Sequence, residues 1–309
     1  MLNSRYPTRG LGGIDILPML KMSYANLCVT MGIQLPPGTA DYQEDLNPTP
    51  KNRQILAFGS LWLGVIVAII LLVNALINQM VWWIPPEVEQ ALGRAIAPIF
   101  EQTSQPSPIQ DSLNQLLNRL EEEMPPETAR DRDYQVIYVA EDVVNAMAIP
   151  GDRVIIYQGL LAQMASENEL MMVLGHELGH FAHRDHLRGL GRALGLQIAL
   201  AVVFGDVGTL GSIAVSGAEN LSNAQYSQGQ ETQADDFGLD LLVAAYGHGA
   251  GAIDFFQRLQ EEGGRGWDFL ATHPHPDRRV KHLQKLMRDR GIPLGDKQPL
   301  PSVLQIKPQ

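Results

Sequence analysis

The sequence predicts an α+β fold: a mainly helical domain with one small β-sheet, preceded by a single transmembrane helix. Three observations lead there. Ile55 to Ile77 holds no charged residue and would run about 34 Å as a helix, enough to cross a hydrocarbon core with some tilt. β-rich runs are short and confined to Gln135–Val139, Asn145–Ile149 and Arg153–Tyr157. The other patterned segments beyond Ile77 recur at helical spacing.

Residues 1–54 contain Pro36-Pro37-Gly38 and Asn47-Pro48-Thr49-Pro50, which mark loops, and only Ile14 to Ile33 is apolar enough for one short helix. They are expected to form a partly disordered segment without chemistry of its own. Lys51 and Arg53 precede the apolar run; Trp82 and Trp83, suited to an interfacial belt, come after it, and then Glu87 and Glu89. That asymmetry places the N-terminus in the cytoplasm and the remainder on the outer, periplasmic or lumenal, side. The run lies too far along the chain for a cleavable signal peptide, so 55–77 reads as a retained, single-pass anchor.

Residues 78–130 read as a helical linker region, with helices at Glu87–Phe100 and Ile109–Glu123. Residues 131–290 read as the main domain. In it, Pro150-Gly151-Asp152 makes a tight turn between two β-runs, hence a hairpin. Ser166-Glu167-Asn168-Glu169 offers a helix start, and Leu170, Met171, Val173, Leu174, Leu178 and Phe181 form its core-facing stripe. Ala193 to Val215 is apolar but broken by Asp206 and glycines, too short in its longest clean run to span. It reads as a flap that covers a cleft or touches the bilayer. A second crossing there would put the segments on its two sides in different compartments. Ala218 to Tyr246, Gly249 to Glu262 and Asp277 to Arg290 read as further helices, and 291–309 as an extended, Pro-rich tail.

Chemistry enters at His176-Glu177-Leu178-Gly179-His180. On a helix the two histidines stand one turn apart on one face and can share a metal ion, while Glu177 beside them can take a proton from water. A catalytic zinc wants a third protein ligand and an open position. His186 has the spacing of a longer His-rich motif, but His183 stands where that motif needs a glycine to break the helix. In a continuous helix His186 would lie about 15 Å along the axis from His176, at a surface or helix end. Glu231 and Asp235 share a helical face further on. Asp236 and Asp240 nearby would equally suit a solvated acidic face, but downstream of a metal helix the pair fits better as third ligand, Glu231, and as acceptor of a ligand histidine's outer N–H, Asp235.

Acidic residues outnumber basic ones, 34 to 23, and the whole excess lies beyond the anchor. That disfavours nucleic acid and anionic headgroups as partners. A single cysteine, Cys28, excludes an internal disulfide and a thiolate zinc site.

Together the motifs resemble the HtpX and CAAX-prenyl-protease type of membrane-associated zinc metalloendopeptidase. Besides the His-Glu-Leu-Gly-His and Glu231–Asp235 motifs, the likeness covers Asn145-Ala146-Met147-Ala148-Ile149-Pro150-Gly151, Gly159-Leu160-Leu161, and Thr272-His273-Pro274 with Arg279 six positions after the histidine. It extends over roughly Tyr134 to Arg290. The resemblance implies a zincin-like metallopeptidase domain at 131–290 with the small sheet over the cleft, and one Zn2+ per chain. Asn145, Ala146 and Met147 would offer a strand edge to an extended substrate, although an ordinary structural hairpin explains the same residues. His273 would reach the metal cleft, either stabilising an oxyanion or plugging the open position, and Arg279 would pair with a cleft carboxylate or the substrate. His275 departs from the family pattern and is either an extra ligand or a neighbour.

These residues add up to a zinc endopeptidase in which His176, His180 and Glu231 hold the ion and Glu177 is the general base. By the resemblance, it would act on misfolded or unassembled envelope proteins. A specific processing peptidase and a latent or chaperone-like zinc-binding module are the alternatives. Neither the substrate nor the oligomeric state is written in these motifs.

Overall fold

Asn52 to Met80 form one helix, α1, none of whose residues is buried. The computed structural model describes residues 52–101, 107–129, 131–192, 221, 225–261 and 267–306. The N-terminal segment up to residue 51 and the apolar stretch 193–215 lie outside the described residues. The chain divides into two units, Met1–Ile66 and Val67–Gln309. With its short continuation to Trp83, α1 is the one described helix long and apolar enough to cross a membrane, its most apolar 18 residues having a mean hydropathy of 2.7. Two of its polar side chains bond within the helix: Ser60 donates to Ala57 O at 3.0 Å and Asn74 to Ile70 O at 2.9 Å.

After a 3₁₀ turn at Val81–Trp83, α2 (Pro86–Glu101) buries one stripe, Glu89, Gly93, Ile96, Ala97 and Phe100, at helical spacing. Helix α3 (Pro108–Glu121) starts at the cap Ser107, which accepts from Gln110 N, and buries Leu113, Leu116, Leu117 and Leu120. A single turn, α4 (Pro126–Ala129), leads to the sheet.

The sheet has the order β1-β3-β2, from Gln135–Val139, Ala146–Ile149 and Arg153–Tyr157. β2 and β3 form the expected hairpin, Ile149 opposite Arg153, while β1 runs parallel to β3. The turn needs positive φ, 85° at Gly151 and 60° at Asp152. Gly93 of α2 lies so close to it that an added Cβ would stand 2.5 Å from Gly151 Cα. On the outer side of β1, Asn114 Oδ1 accepts from Val136 N (2.7 Å) and Gln110 Oε1 from Tyr138 N (3.3 Å), so α3 covers that edge. Alternate residues separate cleanly: Val136, Tyr138, Ala146, Ala148, Val154 and Ile156 join the main core, whereas Ile137, Val139, Met147, Ile149, Ile155 and Tyr157 pack with α2.

A short helix, α5 (Gln158–Ala162), precedes the central α6 (Glu167–Ala182), which is buried without a break from Asn168 to Phe181. Its start is the expected one, Ser166 accepting from Glu169 N. Its end is not. Nothing in the sequence forces a break after His180, yet the helix stops at Ala182, Arg184 takes a φ of 57°, and helical residues resume at 185. A left-handed arginine is strained by about 1 kcal/mol or more. Tertiary bonds offset it: Arg184 donates to Val81 O (2.6 Å) and Ile84 O (2.8 Å), just past α1.

Helix α7 (Gln228–Tyr246) opens with a capping box between Ser227 and Gln230 and ends at Gly247, φ 74°. It crosses α6 where both helices carry small residues. A Cβ on Gly179 would meet Ala234 Cα at 2.7 Å, and one on Gly238 would meet His176 N at 2.8 Å. Three more helices follow among the described residues: α8 (Asp254–Glu261), α9 (Trp267–Thr272) and α10 (Pro276–Arg290). The tail beyond is irregular and pinned: Glu167 N donates to Gln298 O (3.0 Å) and Gln298 N to Asn168 Oδ1 (2.7 Å). Leu300 and Leu304 are buried against the core.

Candidate metal centre

The close contact between α6 and α7 brings His176 and His180 against Glu231 and Asp235. His273, at the end of α9, completes a buried group: ligand atoms of His176, His180, Glu231 and His273 all lie within 4.8 Å of one another. His176 Nε2 is 3.1 Å from His180 Nε2 and 3.2 Å from His273 Nδ1. Glu231 Oε1 is 3.1 Å from His273 Nδ1 and 3.5 Å from His180 Nε2. Four donors bound at zinc distances in a tetrahedron would stand about 3.3 Å apart. The donor set therefore fits a metal ion in number, chemistry and spacing.

Orientation comes from behind each ring. His176 Nδ1 lies 2.9 Å from Asp235 Oδ1, and Asp235 in turn accepts from Arg279 Nε at 2.9 Å and from its terminal nitrogen at 2.6 Å. Arg279 also pairs with Glu231 Oε2 at 2.8 Å and lies over the Phe256 ring, 4.0 Å from its centroid. His180 Nδ1 lies 3.0 Å from Asp185 Oδ2, and its ring stacks on Tyr226 at 3.8 Å. His273 stacks on Phe269 at 4.5 Å. Both oxygens of Glu177 are buried without a hydrogen-bond partner, as is His273 Nε2, which stands 3.6 Å from Glu177 Oε1. A buried carboxylate so placed is costly unless it has something to serve.

Charge is set by the same geometry. Burial raises the Glu231 carboxyl, but Arg279 and then His273 and His176 outweigh it and hold it well below the usual range. Asp235 and Asp185 are likewise lowered against burial, by Arg279 and by the His180 hydrogen bond respectively. Burial and then the Arg279 charge push His176 down. For His180, burial is overcome by hydrogen bonds with Asp185 and Glu231 and by the negative charge of Glu231 and Glu177, which push it up. The pocket thus holds its carboxylates ionised, and favours a cation at His180 but not at His176.

The sequence profile of peptidase family M48 matches residues 110–287. The chain belongs to peptidase family M48. Among proteins it is similar to are the metalloprotease LoiP of Escherichia coli, 36% identical over 161 residues (50% of this chain, 63% of LoiP), and the metalloprotease YcaL of the same organism, 33% over 153 residues (48% and 59%). The mitochondrial metalloendopeptidase OMA1 of Arabidopsis thaliana is 30% identical over 151 residues, 48% of this chain and 31% of that protein. The chain spans about three fifths of the length of the two bacterial relatives. The M48 match bears out the resemblance read from the motifs and starts earlier, within α3.

In this M48 chain the geometry brings together His176, Glu177, His180, Glu231, His273, Asp235 and Arg279, seven residues singled out from the sequence. His186 is elsewhere. It was expected at a surface or helix end; it stands at the start of the helical residues that resume at 185, but is buried, 1% exposed, with Nε2 2.7 Å from Glu89 Oε1. His275 is exposed, caps α10 with a φ of 65°, and lies outside the four-residue group. Asn145, Ala146 and Met147 lie at the start of β2, the end strand opposite β1, and are buried. Asn145 Oδ1 accepts from Thr272 Oγ1 at 3.3 Å, which ties that strand to the residue before His273. Sequence reasoning missed Asp185, Tyr226 and Phe269. Asp185 had a signal, an acid five positions after His180; the two rings had none.

Proposed function

We propose that the chain is a membrane-anchored zinc metalloendopeptidase that hydrolyses peptide bonds of misfolded or unassembled envelope proteins. The observation that carries this is a four-donor cluster with an unpartnered, buried Glu177 beside it. His176, His180 and Glu231 are the ligands. A zinc ion bound there supplies Lewis-acid polarisation and makes a water acidic enough to react, with a pKa near 7. Glu177 takes the proton of the attacking water on its carboxylate and delivers it to the leaving amine. Asp235 fixes the Nδ1–H form of His176, and Arg279 pairs with both Asp235 and Glu231. Asn145, Ala146 and Met147 hold the substrate backbone as an added strand, which tolerates many sequences. The peptidase domain is 131–290, the anchor 55–77 with the N-terminus cytoplasmic, and the remainder on the outer side.

A second reading is favoured by one distance. His273 Nδ1 stands 3.2 Å from His176 Nε2, close enough to serve as a fourth donor where a catalytic site would keep a position open. On that reading this conformation is latent, and α9 with His273 withdraws before a substrate binds. Cleavage of an unfolded protein by the full chain in detergent tests both, beside Glu177→Gln and His273→Ala at equal zinc content. The proposal expects cutting by the parent and none by Glu177→Gln. Latency expects His273→Ala to cut faster than the parent; an oxyanion role expects it to cut slower. Absence of cutting by the parent and by His273→Ala, both zinc-loaded, would refute the peptidase reading.

A further inference from the structure

The second ligand histidine has its own buried carboxylate, and the proposed chemistry gives that carboxylate no task. Asp185 is fully buried. Its Oδ2 faces His180 Nδ1 at 3.0 Å, while its Oδ1 accepts from Arg188 at 2.6 Å and from Gln230 Nε2 at 2.7 Å. Three donors from three places converge on one side chain: the metal helix, the helical residues after it, and α7. Gln230 is the residue before Glu231, and its other amide atom already accepts from Ser227 N at 3.0 Å, so its orientation is fixed.

We infer that Asp185 is the positioning residue of His180. This rests on the reading of the cluster as a metal site. An ionised carboxylate only accepts, so the imidazole must present N–H at Nδ1, which leaves Nε2, facing Glu231 and His176, as the atom that would bind a metal ion. Tyr226 stacked at 3.8 Å and 16° sets the plane of the ring; Asp185 sets its rotation within that plane. The same carboxylate, through Gln230, registers the first turn of α7 against the end of α6. Two ligands on different helices, His180 and Glu231, are thereby spaced by one side chain.

Arg188 extends this link outward. Its guanidinium lies 5.5 Å from the centre of the Trp82 ring, and Arg184 lies 5.9 Å from the same ring. The cation that neutralises Asp185 is therefore seated on the residues directly after the apolar helix.

A purely structural role would look different. Asp185 also stands in the first turn of a helical segment, where an acid is favourable whatever His180 does. The experiment separates the two. In the full chain in detergent, Asp185→Asn keeps size and removes the obligatory acceptor. Zinc affinity is read by competition with a chromophoric chelator, and the His180 Nδ1–H resonance by proton–nitrogen NMR. The expected result is an affinity lower by about 10- to 100-fold, with melting temperature little changed. The Nδ1–H signal, downfield and slow to exchange in the parent, moves upfield and exchanges faster. Unchanged affinity and an unchanged resonance in a folded variant would overturn the inference. If Asp185→Asn does not fold, Asp185→Ser, smaller and still suited to a helix start, is read by the same two criteria. If the parent itself binds no zinc, the metal-site reading falls, and the Nδ1–H resonance alone decides the role of Asp185.

Discussion

His176 and His180 sit one turn apart on the same helix, and each is backed by an aspartate and an arginine, yet the two supports are built differently. Behind His176, Arg279 is 4% exposed, holds Asp235 through two hydrogen bonds, forms an ion pair with Glu231, and is packed on Phe256 in the interior. Behind His180, Arg188 holds Asp185 through one bond, keeps 15% of its side chain exposed, and lies over Trp82, itself half exposed. One support belongs to the core, where two carboxylates depend on it; the other is seated on the segment just past the apolar helix and shares its burden with Gln230. The lesson is that one cation can be indispensable and its counterpart replaceable in the same site, according to how many carboxylates depend on it.

The largest effect expected from breaking this pairing comes from Arg279→Met, which strands Asp235 and Glu231 as buried charges. Thermal unfolding should show a loss of about 3–5 kcal/mol, and zinc binding should fail with it. Next comes Glu89, on the Arg188 side. Burial would raise its carboxyl, but the hydrogen bond and charge of His186 and then those of Arg132 hold it at about 2, against an ordinary value of 4.5. Its stabilisation, about 3 kcal/mol, is complete above pH about 4.5, shrinks as the pH falls and is gone below about 2. Melting curves between pH 2 and 6 should therefore show a Glu89→Gln variant that is less stable near pH 6 and converges on the parent toward pH 2.

A steric test is next in size. Gly238→Ala drives a methyl into the His176 backbone and should cost about 1–3 kcal/mol, with weaker metal binding measured by chelator competition. The smallest effect is reserved for Arg188→Met. Asp185 keeps its bonds with His180 and Gln230, so a loss of about 1 kcal/mol in thermal stability is expected. Equal losses for Arg279→Met and Arg188→Met would end the distinction drawn between the two supports.

Much of this was legible in sequence because it is periodic. Spacing of four put His176 with His180 and Glu231 with Asp235 on single faces, short β-rich runs marked the three strands, and Ser166 marked the start of the metal helix. The features that escaped depend on partners distant in the chain. The break at Arg184 is held by carbonyls of Val81 and Ile84. Once it exists, His186 turns inward to Glu89 and Asp185 turns toward His180, so one unrecognised bend hid two buried polar contacts. The parallel pairing of β1 with β3 was likewise invisible, since β-rich composition marks a strand and not which strand lies alongside.

The metal helix is fastened at its two ends by segments far apart in the sequence. Arg184 grips the residues after α1, and Gln298 clasps the backbone at Glu167 and the side chain of Asn168. A ribosome delivers these in a fixed order. The tether at Val81 and Ile84 is available before the helix is made, whereas the clasp arrives more than a hundred residues later. A growing chain therefore carries its histidines on a helix secured at one end only, and the site reaches its final rigidity when the tail comes back to close it.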